Sequence, residues 1–97
     1  MNITSYDYNI DLLEYKNNYL STIKFYYVAT SDLGSSYSKY FVVNVDEEIP
    51  KDPPLSKNQI INIIELSLGL DQIDHMKKTL KDMFSEQFTS FKPVYSD

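Results

Sequence analysis

Between Ser5 and Leu12 apolar and polar residues alternate cleanly, with Tyr6, Tyr8, Ile10 and Leu12 in one set and Ser5, Asp7, Asn9 and Asp11 in the other. Alternation of period two is the signature of a strand with one buried face. The pattern continues less cleanly through Leu13 and Tyr15 to Lys16-Asn17-Asn18. Asn tolerates positive φ and bonds to its own backbone, so these residues form a turn. A second strand is expected from about Tyr19 to Thr30, then a turn at Asp32–Ser36 with Gly34 at its left-handed position, then a third strand from Tyr37 to Val45. Two short turns in succession leave only an antiparallel meander, because a parallel return needs a dozen or more connecting residues.

The pattern changes after Val45. Asp46 to Pro54, DEEIPKDPP, has three prolines and reads as an extended, semi-rigid connector at the end of the sheet. Beyond it the period becomes helical. Ser56 and Gln59 fit the N-cap and third helical position of a capping box, with Leu55 and Ile60 placed as a hydrophobic staple. Ile60, Ile63, Ile64, Ser67 and Leu68 share one helical face, and Gly69 stops the helix in a left-handed conformation. Asp71 is expected to cap a second helix, whose inner face carries Ile73, Met76, Leu80, Met83, Phe84 and Phe88 and which frays near Thr89. The reading is α+β: a three-stranded antiparallel β-meander packed in two layers against two C-terminal helices. It divides the chain into one domain over 1–97, with the meander at 1–45, the acidic proline-bearing connector at 46–55, the helices at 56–89 and a tail at 90–97.

Residues 24–31, KFYYVATS, break the rule of one wet face: Phe25, Tyr26, Tyr27 and Val28 are consecutive. With Tyr6, Tyr8, Ile10, Leu12, Ile23, Phe25, Tyr27, Ala29, Phe41, Val43 and Val45 turned to the helices, the other face receives Leu13, Tyr15, Tyr26, Val28, Tyr40 and Val42. Two helices joined at a turn as tight as Gly69 cover one side only. The second side is therefore expected to be a contact surface, for a second copy or another protein. Tyr15, Tyr26, Val28, Tyr40 and Val42 are its candidate residues, joined by Phe91 and Tyr95 of the tail. Tyr suits this role because it combines a broad apolar ring with a polar tip and few rotamers to freeze.

Composition narrows the classes. The 97 residues suffice for one modest core, burying roughly 60–65% of the surface the unfolded chain exposes. Hydrophobic residues at 42% place the chain among globular rather than disordered sequences. The net charge is −5, and all nine Lys+Arg cations are Lys. Arg is the preferred bidentate partner of phosphate and guanine, so an acidic chain without Arg argues against direct nucleic-acid binding and against anionic membranes. It permits the reverse: Asp46, Glu47, Glu48 and Asp52 could mimic phosphate and fill a basic groove of a host defence or nucleic-acid-binding enzyme. No Cys means no disulfide, thiolate metal site or thiol nucleophile. The first ten residues lack the basic-then-apolar order of a signal peptide, and no apolar run approaches a membrane span.

Chemistry-bearing candidates are few. His75 is the only histidine, with Asp71 four residues before it on a similar helical face, and it reads as a surface histidine. Asp46, Glu47 and Glu48 lack the alternating ligand spacing of a calcium loop. Ser35 and Ser36 have no base partner in the sequence, and there is no glycine-rich phosphate loop. No catalytic residue, cofactor or metal is expected.

The order of elements also carries a resemblance. A three-stranded opening and a proline-bearing connector lead to Leu-Ser-x-x-Gln-Ile-Ile at Leu55–Ile61, Leu-Gly at Leu68-Gly69, a second helix and a proline-containing tail. Over nearly the whole chain this resembles a group of small proteins encoded by tailed bacteriophages, marine and cyanobacterial ones among them. The resemblance implies a virion component or accessory protein, working through contact with itself or with another virion or host protein. It also implies a location in the virion or the cytoplasm of the infected cell, and it carries over no catalytic residue.

Overall fold

A computed structural model describes residues 2–89, and the side chains up to residue 84. Strands β1 (Ile3–Lys16), β2 (Tyr19–Ser31) and β3 (Ser36–Asn44) form one antiparallel sheet in the order β1-β2-β3, followed by helices α1 (Lys57–Leu68) and α2 (Leu70–Thr89). This is the three-strand, two-helix α+β order that the periodicities dictate. The β1–β2 turn has just two residues, Asn17 and Asn18, with φ of 54° and 68°. Two successive positive-φ residues twist the backbone in the sense that matches paired strands. At the other turn the buried Ser31 Oγ accepts from the amides of Leu33 (3.3 Å) and Ser35 (3.2 Å), while Gly34 takes φ 83°.

The core sits between the sheet and the helices. β2 is the central strand, so its inward residues Ile23, Phe25, Tyr27 and Ala29 are sealed on both flanks and are almost fully buried. Tyr8, Leu20 and Val43 join them from the sheet, Ile60 and Ile64 from α1, and Ile73, Met76, Leu80 and Phe84 from α2. The ring of Tyr8 lies 5.6 Å from Phe25 and 4.9 Å from Tyr27, and Phe84 stands edge-on to Tyr37 at 4.6 Å. Lys77 sits over Tyr6 of β1 at 5.4 Å. Taken with the Phe84–Tyr37 contact, this means that α2 crosses the sheet from β1 to β3.

The capping box forms in full: the Gln59 amide donates to Ser56 Oγ (3.2 Å) and the Ser56 amide to Gln59 Oε1 (2.8 Å). Gly69 does more than stop α1. Its amide donates to the Glu65 carbonyl (2.9 Å) and its own carbonyl accepts from Ile73 (3.2 Å), so it closes one helix and opens the next. The expected left-handed turn is replaced by φ 80°, ψ 164°, a region that essentially only Gly occupies. Asp71 is accordingly not a cap: α2 starts at Leu70, and Asp71 lies in its first turn, where a carboxylate complements the helix dipole.

The face assignment changes along β1. Ile10 pairs with Phe25, but Leu12 pairs with Lys24 and Leu13 with Ile23, leaving Asp11 as an extra residue. This bulge shifts the phase by one. Leu13 and Tyr15, expected on the open side, pack against the core, while Leu12, expected in the core, faces out. Tyr15 lies under the Lys51 ammonium at 5.7 Å. The connector covers this far end of the hairpin rather than merely ending the sheet. The Leu20 amide donates to Ile49 O and the Lys51 amide to Asn18 O, both at 2.8 Å, and Ile49 and Leu55 pack on the core. Pro50 bridges Tyr19 without a donor of its own, the bonds coming from its two neighbours.

Candidate protein-contact face

On the side of the sheet away from the helices, β2 presents Thr22, Lys24, Tyr26, Val28 and Thr30 between Glu14, Asp11, Leu12, Asn9 and Asp7 of β1 and Asn44, Val42, Tyr40 and Ser38 of β3. Four of the sequence candidates meet here: Tyr26, Val28, Tyr40 and Val42. Leu12 joins them, delivered by the bulge. Tyr26 and Tyr40 are direct cross-strand partners with ring centroids 4.9 Å apart and planes at 67°, an edge-to-face arrangement. Exposure is 47% for Leu12, 39% for Tyr26, 40% for Tyr40 and 52% for Val42, so the patch is open to solvent, with Val28 partly covered. Tyr15 does not belong to it, since it lies on the helix side. Phe91 and Tyr95 fall outside the described residues.

The polar groups around the patch are largely committed to one another. The Tyr40 hydroxyl donates to Asp11 Oδ2 at 3.0 Å, spanning β2. Lost hydration, this bond and the Asp11 charge push the phenol above its ordinary pKa. Lys24 pairs with Glu14 at 3.0 Å, and Lys57 reaches Asp7 at 3.7 Å. The result is a patch in which apolar side chains and partnered polar groups interleave, with Lys24 between Leu12 and Val42 and the Tyr26–Tyr40 ring pair beside them. Leu66 near the end of α1 and Leu70 at the start of α2 are each 79% exposed, two apolar positions that helical periodicity did not single out.

The remaining candidates are placed elsewhere. Asp46, Glu47, Glu48 and Asp52 are all exposed on the connector, beside the start of β2 rather than in the patch. His75 is exposed on α2, where its carbonyl accepts from the Thr79 hydroxyl at 2.9 Å. Among the described residues no three His, Asp or Glu side chains form a group that could hold a metal ion, and no helix is long and apolar enough to cross a membrane. No protein family matches the chain, and no curated protein or solved structure matches it either.

Proposed function

We propose that this chain is a small non-enzymatic protein that works by contact, a structural or accessory subunit of tailed-phage type, and that the open face of its sheet is the working surface. The observation that carries this reading is the clustering of Leu12, Tyr26, Tyr40 and Val42 on a face the chain's own helices leave uncovered. A two-layer domain needs only one apolar sheet face to build its core. Bulky side chains on the second face add little to that core, and the exposed Tyr26–Tyr40 pair supplies the aromatic surface that protein interfaces favour. The partner would be another virion or host protein, or the same chain.

The test compares partner capture from the natural host by the wild type and by a double variant, Tyr26→Lys with Val42→Lys. Both positions are exposed, but Val42→Lys sets a second ammonium opposite Lys24 and Tyr26→Lys removes the ring contact with Tyr40, so native circular dichroism of the variant is established before capture is read. Loss of the captured protein in the folded variant supports the reading. An identical captured set from both overturns it.

A further inference from the structure

Among the described residues both outer strands of the sheet have a free side, but they are not alike. β1 is interrupted at Thr4 and Asp11, where one extra residue breaks the pairing. Bulges of this kind blunt an edge against further pairing. β3 runs against β2 in unbroken register from Asn44 opposite Thr22 to Ser36 opposite Thr30. Its parity is set by the Val45 amide, which donates to Ser21 O at 2.9 Å, and by the Ser31 amide, which donates across the far turn to Ser35 O at 2.8 Å. The backbone groups of Tyr37, Lys39, Phe41 and Val43 therefore point at β2. Those of Ser36, Ser38, Tyr40, Val42 and Asn44 point outward. Among the described residues no strand takes them up.

We propose that β3 pairs antiparallel with β3 of a second copy of this chain, about a two-fold axis at Tyr40, to give a continuous six-stranded sheet. The register selects the occupant. Centred on Tyr40, the pairing uses all nine residues of β3. It sets Ser38 opposite Val42, Ser36 opposite Asn44 and Lys39 opposite Phe41, and each outward backbone group meets another. Centring on Lys39 instead would bring two ammonium groups face to face, which is unfavourable. The dimer would also set the two open faces side by side, with Tyr40 and Val42 at the seam.

The experiment is sedimentation equilibrium with amide hydrogen exchange on the full chain, from dilute to near-millimolar concentration. The expected result is a dimer in which the amides of Ser38, Tyr40 and Val42 are protected, and lose protection on dilution. Ser38→Pro removes an N–H that points away from β2, so it yields a monomer with native circular dichroism, while Ser38→Ala still dimerises. Should Ser38→Pro not fold, Tyr40→Cys decides. The chain has no Cys of its own. A thiol on the axis, with Cα atoms about 5.5 Å apart, closes a disulfide on mild oxidation, and Ser36→Cys, which faces Asn44, does not. A chain that stays monomeric throughout overturns the pairing and leaves the open-face reading standing. A dimer whose β3 amides stay unprotected also overturns it, and shifts self-association to the open face.

Discussion

At the scale of single residues the tyrosines divide by where their hydroxyls go. Tyr8 is buried, yet its hydroxyl escapes to the surface of α1 and donates to Glu65 Oε2 at 3.1 Å. Tyr8→Phe keeps the ring contacts and removes that bond. Because Glu65 is exposed and its charge is screened by water, the loss should be about 1 kcal/mol, that of an ordinary hydrogen bond, and chemical denaturation would measure it. Burial also sets a pH limit. Lost hydration, then the nearby Tyr6 and Glu65, push the Tyr27 phenol up to about 12, and burial with Glu65 raises Tyr8 further. In the unfolded chain both would ionise near pH 10. Their contribution to stability is therefore complete below pH 10 and is lost as pH rises through the folded values. Stability measured by chemical denaturation, with tyrosinate absorbance followed in parallel, should fall off steeply above pH 10, and the fall should be shallower in Tyr27→Phe.

At the scale of elements, local chemistry decides the boundaries. Ser56→Ala removes the cap oxygen from the first turn of α1 and should cost about 1 kcal/mol in thermal or denaturant unfolding. Gly69→Ala meets no steric obstacle from the rest of the fold, since no atom beyond its chain neighbours lies within 4 Å of the added carbon. Its cost is backbone strain at φ 80°, about 1–3 kcal/mol, and a loss well below that range would mean the junction relaxes. These features were legible in the sequence because caps, turns and helical stripes are written in neighbouring residues. The phase of β1 was not. Leu12 and Leu13 stand side by side, and after them the alternation resumes one step out of phase through Glu14 and Tyr15. That doublet is the trace of the bulge at Asp11, but only the pairing with Lys24 and Ile23 reveals which Leu goes in. The connector was misjudged for a related reason. Its prolines speak against a strand, whereas the bonds that dock it come from Ile49 and Lys51 on either side of Pro50.

At the scale of the whole molecule, the placement of charge separates two ways of binding. The open face holds its carboxylates in internal pairs, Asp11 with Tyr40, Glu14 with Lys24 and Asp7 with Lys57. The acids of the connector project instead from exposed positions at the hairpin end. Sequence could name both groups but could not say that they lie apart, since their separation depends on how the connector docks beside β2. A partner held by the open face gains from burying Leu12, Tyr26, Tyr40 and Val42, a contribution that salt does not screen. A partner held by Asp46, Glu47, Glu48 and Asp52 as phosphate mimics would gain from exposed charges, which lose most of their reach when the Debye length falls to about 3 Å near 1 M salt. Capture is therefore expected to persist from low salt to molar sodium chloride, and to survive replacement of Asp46, Glu47 and Glu48 by Asn or Gln. It should vanish with Tyr26→Lys and Val42→Lys. The opposite outcome, steep loss with salt and with the connector variant but not with the face variant, would move the binding surface to the connector and make the acidic-inhibitor reading the correct one.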